Sequence, residues 1–256
     1  EKLIERVQNV KLAAQAIHGT VLLPEEVFSY NDTLGPRVST RGYLNAPVII
    51  RGELMPGIGG GICQVSSTLY NAALLARLRI EERNNHSLLS TYVPPGQDAT
   101  VLEGVLDLKL KNNYAAPVVI NCEVKGNKVR VDIWGQDIYP GETVELVPVV
   151  DKVIPYTSVE KEDPALEPGV REVEKKGIDG YEVSLYRVIV KDGVEISREL
   201  VSKSKYLSMP EVVRVGQREK KQGESRRKQE EKKEDNDVNV DEKKTGEVED
   251  GVGGNP

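Results

Sequence analysis

The sequence predicts an α+β protein: helices against an antiparallel sheet, then a small elongated all-β module, then a disordered tail. Three observations carry this. Apolar residues recur at helical spacing in two segments, Glu1 to His18 and the stretch beginning at Cys63. From about His86 to Gly216 the period is two. From Gln217 onward the 256-residue chain is almost entirely Lys, Arg, Glu, Asp, Gln, Asn and Gly. Such a segment buries too little apolar surface to offset the entropy of ordering. The expected boundaries are 1–138, 142–216 and 217–256.

The first helix places Leu3, Ile4, Val7, Val10, Ala14 and Ile17 on one face, with Gly19 where a C-terminal cap belongs. TVLLPEEVFSYNDTLGP reads as a short extended stretch with a turn at Asn31 and Asp32. Tyr43 to Ile50 reads as a strand before a glycine loop. The second helix turns Ile62, Val65, Leu69, Ala72, Ala73 and Ala76 towards a core. His86 to Val93 and Gly104 to Lys111 read as strands, with PPGQ as a turn. Pro117 to Val124 and Lys128 to Trp134 form a hairpin whose KGN tip supplies Gly and Asn. Beyond Glu142 no helical period occurs; YEVSLYRVIV alternates and KDGVE is a hairpin turn. The apolar supply of this module is thin, so a modest core is expected.

Composition excludes several classes. A net charge of −6, a pI near 5.3 and a tail of mixed sign argue against nucleic acid as a partner. Two cysteines make no disulfide framework. No apolar run is long enough to span a membrane. The first residue is Glu1 rather than Met, which leaves room for an upstream signal or membrane anchor. No cofactor is expected. Cys63, His86 and an Asp lack close metal-ligand spacing, so no metal site is expected either.

The run GIGGGICQVSSTLYNAALLARLRI, Gly57 to Ile80, holds the most chemistry. Cys63 at a helix start has its thiolate favoured by the helix dipole and free N–H groups. It is either a poised nucleophile or a small residue in a tight turn. With His86 as proton shuttle and Asp98 as orienting carboxylate, it would form a catalytic row. Backbone N–H groups at the helix start would hold an oxyanion, and Gly59, Gly60 and Gly61 would admit a substrate backbone. Gln64 would meet a substrate carbonyl and Arg83 a substrate carboxylate. Ser66, Ser67 and Thr68 read as caps and packing. Asp98 carries a condition. If PPGQ closes a tight hairpin, His86 lies roughly 23 Å away at strand rise; if the segment is a wide loop, Asp98 folds back. Asp107 is the alternative orienter. Cys122 reads as core, His18 as a helix-end dipole contact, and Tyr30, Tyr43 and Tyr92 as groove or packing residues. Trp134 reads as a domain-edge packing residue.

The order of Cys63, His86 and Asp98 resembles the transglutaminase-like and papain-like arrangement, and DATV is similar to the Asp-Pro-Thr segment of the former. GYLNAPVI, GGGICQVSSTLYNAAL, ERNNHS, YVPPGQDATV and DLKLKNN follow one another as in the VanW-like family, over residues 5 to 135. The second module, with Gly169, Gly177, Gly180, Gly193 and Gly216, resembles the G-five domain. Together the resemblances imply an extracytoplasmic, wall-associated protein of a Gram-positive type bacterium, with a link to vancomycin-resistance gene clusters. They imply peptidoglycan or an N-acetylglucosamine-containing glycan as partner. Two functions stay open: a cysteine-dependent amidase or acyl-transferase on wall peptide, and a non-enzymatic wall-binding or envelope-assembly protein.

Overall fold

The computed structural model describes residues 2–50, 53–126 and 128–216. The expected disordered tail, 217–256, and Asn127 at the KGN tip lie outside them. The architecture is α+β with mostly antiparallel pairing.

Helix α1 (Lys2–Ile17) turns Val10, Ala13, Ala14 and Ile17 into the core. Gly19 takes a positive φ and donates its N–H to the Ile120 carbonyl, which starts strand β1 (Thr20–Leu22) at once. Strand β2 (Val27–Ser29) runs into a short helix α2 (Tyr30–Leu34), capped by the Ser29 hydroxyl accepting from the Asp32 N–H. The sequence predicts only an extended stretch with a turn there. Strand β3 (Asn45–Ile50) pairs antiparallel with β4 (Glu53–Ile58), where the sequence pattern predicts a glycine loop. Helix α3 (Ile62–Leu75) begins one residue before Cys63 and buries Ile62, Val65, Leu69, Tyr70, Ala73 and Leu74.

Strand β5 (Arg79–Glu82) pairs with β6 (Lys109–Lys111), which pairs with β2. Strand β7 (Val118–Lys125) sits between β1 and β8 (Lys128–Trp134). Its period-two burial sends Val118, Ile120 and Cys122 inward. Cys122 is core, and burial pushes its thiol up to about 12. His18 sets Nδ1 against the Cys122 main chain rather than only against its own helix end. Trp134, expected to pack at a domain edge, is 65% exposed.

Two expected strands are corrected. His86 to Val93 is irregular, and of Gly104 to Lys111 only Lys109–Lys111 is strand. An antiparallel bridge at Asn84 and Thr100 closes the intervening residues into a wide loop.

Further along lie β9 (Glu142–Ile154), β10 (Ser158–Asp163), β11 (Arg171–Lys175), β12 (Gly180–Lys191), β13 (Val194–Tyr206) and β14 (Glu211–Gly216). Strands β13, β12 and β9 form one antiparallel sheet. The β12–β13 turn uses positive φ at Asp192 and Gly193, the geometry that KDGVE calls for. The chain forms two compact bodies. The first comprises Glu1–Val159 and Lys175–Glu211, and its core includes Leu185 of β12. Among the described residues, the second comprises 160–174 and 212–216. In it Arg214 pairs with Asp163 and Glu172, and Gly216 packs so closely on the Glu167 carbonyl that no side chain fits.

Candidate active site

The bridge at Asn84 and Thr100 sets the geometry. The Thr100 N–H donates to the Asn84 carbonyl at 2.8 Å, so the next facing pair inward is His86 and Asp98. The wide-loop alternative is the one adopted, and the tight hairpin that would part them does not form. Asp98 Oδ2 lies 2.6 Å from His86 Nδ1 and accepts the His86 N–H at 2.6 Å. With Nδ1–H directed at Asp98, Nε2 is the ring nitrogen left for other partners. The Tyr92 hydroxyl stands 3.4 Å from that nitrogen, and the two rings meet edge to face.

Cys63 sits in the first turn of α3, with Sγ 3.9 Å from Thr100 Oγ1 and 3.7 Å from the Val101 carbonyl. Burial raises the thiol's pKa, but the hydrogen bond and charge of His86 outweigh it, and the net shift is downward. Burial pulls the imidazole down, and hydrogen bonds to Asp98 and Cys63 carry it up to about 9. Burial raises Asp98, but the His86 ring and N–H, Tyr206 and Arg83 hold it below the ordinary carboxylate value. Thiol down and imidazole up are the directions in which a neighbouring thiol and imidazole shift each other.

Asp98 is 1% exposed and is held from several directions. Tyr206 donates its hydroxyl to Oδ1 at 2.5 Å and accepts the Gly96 N–H at 2.7 Å. Ser66 donates to the Ala99 carbonyl, and Ser67 accepts the Ala99 N–H. Asn71 donates to the Gln97 carbonyl. The hydroxyls of α3 therefore dock the Asp98 segment rather than merely cap the helix.

Other expected site residues have different partners. Arg83, expected to meet a substrate carboxylate, is 6% exposed and donates to Asp98, the Gly96 carbonyl and Ser204. It positions Asp98. Gly60 and Gly61, expected to admit substrate, admit the protein's own chain instead. A Cβ on Gly60 would lie 2.7 Å from the carbonyl oxygens of Ala46 and Pro47, and one on Gly61 would lie 2.9 Å from Arg6 Cγ. Gln64 Oε1 accepts from Arg6. Asp107, the alternative orienter, accepts from Ser29, the Asn31 N–H and the Leu108 N–H, and so anchors α2. The Ile62 and Gln64 N–H groups donate to the Gly59 and Gly61 carbonyls. The Cys63 N–H, beside the thiol in the same first turn, is the backbone donor that an oxyanion formed at Sγ would meet. Sequence reasoning missed Tyr206 and Ser204, which lie more than a hundred residues beyond the groups they hold.

The family model described as VanW like protein matches residues 5–134, and that described as G5 domain matches residues 146–218. The chain is 44% identical over 133 residues to the uncharacterized protein YoaR of Bacillus subtilis (strain 168), covering 52% of this chain and 44% of that protein. It is 29% identical over 175 residues to the vancomycin B-type resistance protein VanW of Enterococcus faecalis (strain ATCC 700802 / V583), covering 64% of each. The chain thus spans less than two thirds of either relative. Among solved structures, an IgA1 protease G5 domain matches at 26% identity, 33% of this chain and 100% of that one, with a TM-score of 0.23. That likeness is too slight to bear on strand arrangement.

Proposed function

We propose, from the premise that this chain belongs to the VanW-like protein family, that it is a cysteine-dependent amidase or acyl-transferase acting on cell-wall peptide. The observation that carries the reading is the His86–Asp98 contact of 2.6 Å beside a thiol of lowered pKa. The Cys63 thiolate attacks an amide carbonyl, and the oxyanion leans on the Cys63 N–H. As the C–N bond breaks, the imidazolium of His86 passes its proton to the leaving amine. Water or a second amine then releases the acyl group, with His86 taking the proton back. Asp98 keeps the imidazole in one tautomer and stabilises its charged form. This assigns to the chain a transglutaminase-like or papain-like order of working groups.

We assign the G5-matched region a glycan-binding role on N-acetylglucosamine-containing polymers, and with it a location outside the cytoplasm at the wall. A link to vancomycin resistance rests on the name of one relative alone. The competing reading is a non-enzymatic wall-binding or assembly protein. The packing of Gly60 and Gly61 on the protein's own chain, and of Cys63 against the core, favours it. The test is incubation with purified peptidoglycan, followed by mass spectrometry of released and newly joined peptides. New products with the wild type and none with Cys63→Ala support the enzyme. Identical peptide profiles, with pull-down on the wall retained, support the binder.

A further inference from the structure

Arg37 is a buried cation with unfilled hydrogen-bonding capacity. Its side chain is 5% exposed. One terminal nitrogen, Nη2, donates to Asn31 Oδ1. Nε and Nη1 are buried, and neither makes a hydrogen bond among the described residues. The anion beside it is Glu103, whose Oε2 stands 3.6 Å from Nη1, too long for a hydrogen bond. That oxygen instead accepts the Arg37 main-chain N–H at 3.1 Å, and the Glu103 side chain is 52% exposed. A buried guanidinium is costly unless an anion meets its donors, so the idle pair needs an explanation.

The location supplies one. Glu103 follows Val101, whose carbonyl lies 3.7 Å from Cys63 Sγ, by two residues, a reach of at most about 7 Å along the chain. On the other side, Arg37 Cβ and Cγ lie 3.6 Å from where a Gly59 Cβ would be. The Gly59 carbonyl receives the first N–H of α3. Glu103 sits in a tight turn closed by the Leu102 N–H to the Leu106 carbonyl at 2.8 Å. The apolar side chains of Leu102 and Val105 in that turn are exposed.

We infer that Arg37 is the specificity residue for a free carboxylate on the substrate, with Glu103 standing in for that carboxylate until substrate displaces it. The inference rests on the reading of Cys63 as nucleophile. The substrate class is a peptide with a free carboxylate near the amide attacked and small apolar groups that rest on Leu102 and Val105. A guanidinium suits this task because its planar donors match carboxylate oxygens.

The test alkylates Cys63 in the full chain with iodoacetate and with iodoacetamide, probes of nearly equal size that differ by the carboxylate. The ratio of the two rates is followed by mass spectrometry. The positive charge of His86 is common to every variant and cancels. Arg37→Gln is expected to lower the ratio roughly tenfold, the weight of one charge-assisted hydrogen bond, and Glu103→Gln to raise it. Equal ratios in wild type and both variants overturn the inference. If Arg37→Gln fails to fold, the exposed Glu103→Gln decides alone, and an unchanged ratio overturns the inference. An iodoacetamide rate no faster than a free thiol in the wild type defeats the nucleophile reading instead. The ratio still reports on Arg37 in that event.

Discussion

Tyr206 donates to Asp98 at 2.5 Å, so the carboxylate that orients His86 is itself fixed by strand β13. The same hydroxyl accepts the Gly96 N–H. Burial, followed by the Asp98 charge, lifts the phenol to about 12, which keeps it a donor. Tyr206→Phe leaves Asp98 short of one donor and the Gly96 N–H unpaired. It is expected to lower stability by about 1–3 kcal/mol, read as the urea midpoint. His86 should also titrate at a different pH in NMR. An unchanged His86 titration would mean that Tyr206 only fills space.

Arg83 and Asp98 form a buried pair, with side chains 6% and 1% exposed. Removing one partner strands the other charge, so Arg83→Met is expected to cost about 3–5 kcal/mol. Arg83→Lys keeps the charge but loses the fork that also reaches the Gly96 carbonyl and Ser204. Its cost should fall between wild type and Arg83→Met in denaturant unfolding. If Arg83 served substrate alone, both variants would unfold like the wild type.

Gly60→Ala separates two roles of the glycine loop. The added methyl would sit 2.7 Å from two carbonyl oxygens of β3, and backbone cannot yield as a side chain does. The variant is expected to lose about 1–3 kcal/mol of stability. A substrate-admitting glycine would instead keep full stability and lose only binding.

The pH dependence of stability follows from opposing shifts. His86 is raised from 6.5 to about 9. Its contribution is complete below 6.5 and is lost as pH rises through about 9. Cys63 is lowered from 9.0. Its contribution is present above 9.0 and is lost as pH falls through the lower native value. In the window they share, the two slopes oppose each other, so the wild type should lose less stability with rising pH than His86 alone would dictate. In Cys63→Ala the Asp98 contact still raises His86, and stability should decline as pH rises across that window. Urea midpoints at several pH values check this; equal slopes in the two proteins would refute the pairing.

Much of the fold was legible because local pattern decides it. The 3.6 period of α1 and α3 and the period-two burial of β7 are properties of neighbouring residues. Cys63, His86 and Asp98 were legible as residue types. Their register was not, because it hangs on one bridge, Asn84 to Thr100, with no propensity signal. The same alternation that suggested a strand at His86 to Val93 is overridden there by long-range partners: the His86 N–H donates to the Asp98 carboxylate and the Ser87 carbonyl accepts the Leu207 N–H. Gly60 and Gly61 misled because a glycine signals close approach without saying of what.

The most direct test of the central claim is the alkylation rate of Cys63 by iodoacetamide near neutral pH. Wild type, His86→Gln and Asp98→Asn are compared with a free model thiol. A thiolate held by an oriented imidazolium should react on the order of tenfold faster than the free thiol, which is only a few per cent ionised there. It should also slow towards the free-thiol rate in both variants. A wild-type rate equal to the free thiol, unchanged by either substitution, would contradict the account and leave Cys63 a packing residue.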